Sequence, residues 1–374
     1  MRFITPILKR VIYPCLAGTG YFRSNARPGL AVITYHGVLP PDYKPIDPGF
    51  DGSLITADVF RKQLRLLKAK YTVISPEDMH FWCQSGGGLP PRAVLLTCDD
   101  GLLNNLTEMV PILQEEGLKC LFFVTGGSTL DHRSMLWYHD LQLLFLRAPA
   151  GSFALTGDGI EISGVLAERD QRQALWWSAV KRLSQVDAET RKSFLRTAYA
   201  HFGIEESLPF YLRTYAEAQR HFCLLTRSEL QQLAATGMTI GAHTLTHPLL
   251  AQLPPDLAWT EIAESRARLE SALATQVWAL AYPFGDVGSV TPEVVAMAKQ
   301  AKFEAAFMNI GGGLGSRLSL HAIPRVHVSA GMSLAEFEAH VCGFYELLQR
   351  GLRRTPTLPD LDTSPDVPPN LRVA

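Results

Sequence analysis

No two of the six cysteines (Cys15, Cys83, Cys98, Cys120, Cys223, Cys342) stand in a CxxC pair or a cluster among the 374 residues. That scatter excludes a thiolate metal site, offers no disulfide framework, and fits reduced thiols on the cytosolic side of a membrane. Neither sign of charge is in excess: 35 Lys and Arg stand against 36 Asp and Glu, a net charge of −1. With no basic cluster interleaved with aromatics, a nucleic-acid footprint is excluded as well. Long apolar runs are also missing. The stretch Val11 to Gly18, preceded by Arg2, Lys9 and Arg10, is short and broken by Pro14, which makes a poor signal peptide. No stretch reaches the ~18 apolar residues of a spanning helix. Residues 1–26 are at most an amphipathic segment for peripheral membrane contact, so the expected location is the cytoplasm or the inner face of the membrane. What is present is a 47% hydrophobic composition, ample for a large core.

The chain alternates between two periodicities. Leu30 to Tyr35 (LAVITY) reads as a buried parallel strand ending at His36-Gly37, and Thr56 to Lys70 carries Val59, Phe60, Leu64 and Leu67 at helical spacing behind an N-cap at Thr56. Strand and helix then succeed each other: strands at Tyr71–Ile74, Ala93–Thr97, Lys119–Val124, Met238–Ala242, Val277–Tyr282, Glu304–Met308 and Ala322–Val328, with helices between. Such alternation predicts an α/β fold, seven or eight βα units closing a barrel of parallel strands. Residues 128–222 break the pattern with a hairpin and helices, an insertion of mixed character within a domain spanning 27–350. The Pro-rich polar tail at 353–374 is expected to be disordered.

Chemistry-bearing residues gather where strands end. Asp99 and Asp100 follow the apolar run Ala93–Leu96; two adjacent carboxylates repel, and the pair makes chemical sense where a cation holds one while the other moves protons. A turn pair is the plain alternative. His243 and His247, four apart, follow the strand at Met238 and suit a shared ion or an ordinary surface pair; with Thr at position 244 the motif is no HExxH. A third exit, Ala281-Tyr282-Pro283-Phe284-Gly285, lies at the same rim.

Together these segments resemble the polysaccharide deacetylase family with the NodB-type domain (carbohydrate esterase family 4). Its signatures TFDDG, HTxxHP and a Pro-aromatic-Gly strand exit occur here in order, as TCDDG, HTLTHP and PFG. The resemblance covers most of Leu30 to Tyr345 outside the insertion. It implies a distorted, partly open (β/α) barrel of the NodB type and removal of an N-acetyl group from an amino sugar of an exopolysaccharide, a cell-envelope glycan or a precursor. By position it implies Asp99 as general base and Asp100, His243 and His247 as ligands of a divalent metal, zinc being the expected ion. Tyr282, Pro283 and Phe284 then belong to the substrate pocket. Deformylation or deacylation of a lipid-linked amino sugar, and a metal-less carbohydrate-binding scaffold, are the alternative readings.

Departures from the family pattern are as informative. Cys98 replaces a Phe, and alternation turns it away from Asp99, into the core. Ala281 stands where many members place an Arg that orients the base. On the last strand Ile323, Arg325 and His327 share one face, which makes Arg325 the candidate to hold Asp99 and His327 a candidate general acid. His36 is a rival acid or a pocket residue. In the insertion, Trp137 of Leu136-Trp137-Tyr138-His139-Asp140 is a candidate for sugar stacking or for core packing, and of Trp176-Trp177 one ring is expected to pack while the other covers the barrel or a ligand.

Overall fold

A computed structural model describes residues 7–24, 29–47, 50–127, 130–215, 217–310 and 319–351; the expected tail at 353–374 lies outside them. The first apolar run forms strand β1 (Leu30–Tyr35), which leads to helix α1 (Ala57–Lys70). Thr56 Oγ1 accepts the Val59 N–H at 3.4 Å, meeting one of the donors that a helix start leaves open. Strand β2 (Thr72–Ile74), helix α2 (Pro76–Ser85), strand β3 (Ala93–Cys98), helix α3 (Val110–Glu116) and strand β4 (Leu121–Val124) follow. Helix α3 stops at Gly117, whose left-handed φ of 67° ends the helical ladder.

The next stretch leaves the barrel. Helix α4 (Trp137–Arg147), the hairpin β5 (Gly151–Gly157) and β6 (Ile160–Leu166), and helices α5 (Arg169–Leu183) and α6 (Ala188–Phe202) gather around a core of their own that includes Leu141, Phe145, Leu155, Leu183 and Phe194. Alternation then resumes with α7 (Arg227–Ala235), β7 (Thr239–Ala242), α8 (Pro255–Leu273), β8 (Ala279–Ala281), α9 (Pro292–Gln300) and β9 (Ala305–Met308).

The final strand differs from the single run expected at Ala322–Val328. It is split into β10 (Ile323–Pro324), paired with β9, and β11 (Val326–His327), paired with β1. Pro324 has no N–H to continue a ladder, so the chain changes neighbours there and leaves Arg325 at the break. The sheet runs β10-β9-β8-β7-β4-β3-β1-β11 with β2 beside β3, all pairings parallel, and the split strand joins its two ends. The barrel is thereby nearly closed. Helix α10 (Leu334–Val341) follows the seam.

Period-two alternation sorts the strand residues onto two faces. Leu30, Val32, Leu95, Leu121, Phe123, Ala281, Phe307 and Ile323 pack together inside the barrel, while Ile33, Tyr35, Leu96, Cys98 and Phe122 pack against the helices. Cys98 accordingly lies in this outer-face core beside Met109, Sγ to Sδ 3.6 Å. Each fully buried Leu or Phe contributes about 1.5–3 kcal/mol, so this two-faced core carries the rim rigidly.

Of the N-terminal segment, Tyr13 and Phe22 pack on Ala339 and Cys342, and Lys9 Nζ meets Glu336 at 2.9 Å. Ile7 and Val11 stay more than half exposed, at 54% and 53%. No described helix is long and apolar enough to cross a membrane.

Candidate active site

The ends of β1, β3, β7 and β8 deliver His36, Asp99-Asp100, His243 to His247 and Tyr282 to Gly285 to one rim of the barrel. Among the described residues, eight non-glycine residues have positive φ, and four are here: Asp100 (77°), Thr244 (60°), His247 (59°) and Phe284 (59°). Such conformations persist only where the surroundings over-determine them. Gly101, at φ 76°, completes the turn after β3; a Cβ there would lie 2.7 Å from Val124 Cγ1, so no other residue fits.

Asp99 is 3% exposed and receives a two-pronged ion pair from Arg325, Nη1 to Oδ1 and Nη2 to Oδ2 both 2.6 Å. Arg325 is fully buried, with Nε donating to the Met308 carbonyl at 3.3 Å and its guanidinium 5.4 Å from the Phe123 ring centroid. Burial on its own would push the Asp99 carboxyl up; the Arg325 charge outweighs it and, with His243 and His36 nearby, holds the group below the usual carboxylate range. Arg325 thus stands where Ala281 provides no charge. It arrives from the strand break at the seam, one strand away from β3 on one side and from β8 on the other.

Asp100, His243 and His247 converge beside it. One ligand atom from each lies within 4.8 Å of the others, and all three residues are buried. Asp100 Oδ1 is 3.6 Å from His243 Nε2 and 3.5 Å from His247 Nε2, beyond hydrogen-bond reach, and has no partner. His243 Nδ1 donates to the Ala281 carbonyl at 2.7 Å, which directs the Nε2 lone pair toward Asp100. An orphaned carboxylate oxygen facing two imidazoles is the donor set a divalent ion takes, so the residues fit a metal. Burial pushes the Asp100 carboxyl up, but His243 with His36 and His247 brings it well below its ordinary value; burial and the neighbouring His243 drop His247 to about 3, a neutral imidazole able to ligate.

The loop carrying the histidines is braced from two sides. Buried Glu261 on α8 accepts the N–H groups of Leu245 and Thr246 at 2.9 and 2.8 Å and the Thr246 hydroxyl at 2.5 Å. From the insertion, Arg191 donates to Thr246 Oγ1 at 2.5 Å, and Trp137 Nε1 donates to the His247 carbonyl at 3.2 Å. Arg191 also stacks on Trp137 at 5.2 Å.

A cavity of about 310 Å³ opens over the carboxylates, lined by His36, Asp99, Asp100, His243, His247, Tyr282 and Phe284 among others. Trp137, Pro283, Arg325 and His327 are not among its lining residues. Trp137 instead lines a neighbouring cavity of about 350 Å³ with Arg191. His327 packs edge-on against His36, ring centroids 5.0 Å apart, and burial lowers it to about 3. Reading the sequence missed Glu261, Asn309, Gln142 and the cavity-facing role of His139. Asn309 directly follows β9 and was within reach of the strand-end rule; Glu261, Gln142 and His139 lie on helices, and only the fold brings them to the site.

The matched family model is that of polysaccharide deacetylases, over residues 86–163 and 208–306. Over these two stretches the chain is similar to the polysaccharide deacetylase family. A curated relative, YxkH of Bacillus subtilis (strain 168), named for polysaccharide deacetylase activity, is 27% identical over 117 residues; the match covers 31% of this chain and 41% of that protein. The chain thus matches about two-fifths of that relative's length. The deacetylase PplD of Streptococcus pyogenes, solved with acetate, has the same fold at a TM-score of 0.51 and 17% identity, over 84% of this chain and 99% of that one. A de-N-acetylase of Aggregatibacter actinomycetemcomitans gives 0.51 and 13%, over 83% and 99%. The fold is the NodB-type barrel of these deacetylases.

Proposed function

We propose that this protein hydrolyses the N-acetyl group of an amino sugar within a polysaccharide or its precursor, using a divalent ion, zinc by preference, held by Asp100, His243 and His247. The single observation that supports it best is the division of labour between adjacent carboxylates: Asp99 saturated by Arg325, Asp100 left with an unpaired oxygen toward two imidazoles. When bound, the ion supplies Lewis acidity that activates water and polarises the acyl carbonyl.

The chain's own residues do the rest. Asp99, kept ionised and aimed by Arg325, takes the proton of the attacking water as the water oxygen bonds to the acyl carbon. Collapse of the tetrahedral adduct breaks the C–N bond, and the amine leaves with a proton. His36 lines the cavity and is the residue positioned to donate it, with His327 packed behind it to fix its ring. Tyr282 and Phe284 shape the cavity wall against the acylated ring. Trp137 acts from behind, steadying the His247 carbonyl rather than stacking on sugar.

The test is a panel of N-acetylated and N-formylated amino sugars with separate detection of acetate and formate, alongside metal analysis. Acetate release that vanishes in Asp99→Asn supports the proposal. Formate as the preferred product redirects it to a deformylase, and absence of both metal and acyl release overturns it.

A further inference from the structure

We propose that the insertion builds an additional saccharide subsite, with Trp177 as the platform for the sugar residue next to the one that loses its acyl group. The inference rests on the reading of the barrel cavity as a sugar site.

Trp176 and Trp177 are neighbours on α5, about 100° apart around the helix, and meet different fates. Trp176 also lines the cavity but packs against the insertion core, its Nε1 donating to the Tyr138 carbonyl at 2.8 Å. Trp177 is 36% exposed, lines the cavity, and has no hydrogen-bond partner for its indole N–H among the described residues. A large ring kept at the mouth of a polar cavity contributes little to folding there, and the position suits a ligand with an apolar face.

The rings form a chain of contacts that starts at the proposed metal ligand. Phe284 meets His247 edge-on at 4.8 Å, and Trp177 meets Phe284 edge-on at 5.7 Å. Trp177 therefore stands one ring farther out than Phe284, the step expected between neighbouring pyranose units. Lys181, one turn along α5, places Nζ over the Trp177 ring, 5.7 Å from its centroid, and adds a hydrogen-bond donor beside the platform.

Unfilled polar atoms face the same space. His139 Nδ1 and Asn309 Oδ1 are buried without partners, and both residues line the cavity. Buried polar atoms without partners are rare in folded proteins, and these two add to Asp100 Oδ1, His36 Nδ1 and His247 Nδ1 of the same lining, a concentration that points to a hydrogen-bonding ligand. Flat apolar rings beside unfilled donors and acceptors match a pyranose, which offers a C–H face and a girdle of hydroxyls. Residues 164–207, which carry Trp177, fall between the two stretches the family model matches, so Trp177 lies outside the matched pattern.

The test uses the full-length metal-loaded protein with β-linked N-acetylglucosamine as monomer, dimer and tetramer. Trp177→Ala is expected to raise KM for dimer and tetramer roughly tenfold, the equivalent of about 1.4 kcal/mol of binding, leaving kcat and the monomer KM within about twofold. Trp177→Phe should recover most of the loss. As a binding readout, the tetramer should quench tryptophan fluorescence in Asp99→Asn and bind roughly tenfold more weakly in the Asp99→Asn, Trp177→Ala double variant. A wild-type enzyme that releases acetate while Trp177→Ala treats all three lengths alike overturns the subsite and leaves the proposed function standing. Equal losses on all lengths with lowered thermal stability assign Trp177 a structural role and also overturn it. No acetate from any length, even from wild type, removes the reading on which the subsite rests.

Discussion

Replacing Arg325 by Met tests whether the base of this site is held by a residue from the split strand. The structure gives Asp99 two charge-assisted hydrogen bonds at 2.6 Å, both from Arg325, and among the described residues no other side chain hydrogen-bonds its carboxylate. Each such bond is worth about 1.5–3 kcal/mol, and breaking a buried pair from one side costs about 3–5 kcal/mol because the remaining charge is stranded. Thr97 offers no substitute, since its hydroxyl already donates to the Ile33 carbonyl at 2.8 Å. For a chain of this size the loss corresponds to a fall in Tm of roughly 4–6 °C. Catalysis should suffer separately, because a base released from its two-pronged grip loses orientation; roughly a hundredfold drop in kcat is expected. Arg325→Lys keeps the charge but not the fork and should fall between. The discriminating measurement is a double-mutant cycle by chemical denaturation. Asp99→Asn combined with Arg325→Met removes both charges and should recover at least about 2 kcal/mol relative to Arg325→Met alone. Additive effects, or an Arg325→Met enzyme with wild-type Tm and kcat, would refute the assignment of Arg325 as the residue that holds Asp99.

Other perturbations read other parts of the site. Chelation should lower Tm, since an ion present at 100 times its Kd adds about 2.7 kcal/mol to the folded state, and His247→Ala should abolish both the bound metal and this response, as measured by metal analysis with melting curves. Glu261→Gln removes an acceptor of the brace under the histidine loop and should weaken metal affinity roughly 10- to 100-fold in a competition titration while leaving the fold intact; unchanged affinity would show that the loop holds its strained φ values without it. Asp140 supplies a pH test. Burial raises its carboxyl to about 6 despite the Tyr199 hydroxyl that donates to it at 2.5 Å, so the folded state binds its proton more tightly than the unfolded one. Its stabilisation is full below about pH 4 and is lost as pH rises through about 6, a change of about 3 kcal/mol relative to Asp140→Asn. Parallel stability curves for the two proteins would contradict that assignment.

The alternation of periods made the barrel legible, because parallel strands buried on both faces and amphipathic helices leave separate signatures. The carboxylates and histidines were legible for a related reason: they follow strands directly, and strand ends in such a barrel share one rim. Arg325 was reachable through period two on the last strand, but the break at Pro324 was not. A strand's neighbours are a property of the closed sheet, and only closure reveals that the two sides of Arg325 pair with different partners. The insertion was least legible. Its hairpin and helices could be drawn from local pattern, yet the placement of Trp137 depends on where the insertion core docks on the barrel.

That docking gives the insertion a mechanical connection to the chemistry that its sequence does not announce. Arg191 and Trp137 lie far from the strand-end motifs in sequence, and each makes a hydrogen bond within the segment between His243 and His247, one to the Thr246 hydroxyl and one to the His247 carbonyl. The segment also carries positive φ at Thr244 and His247, conformations that cost energy and relax when support is withdrawn. The barrel supplies one brace through Glu261, and the insertion supplies the other. Loosening α6 at Arg191 should therefore be felt at the histidines before it is felt in the inner barrel core, to which no residue of the insertion contributes.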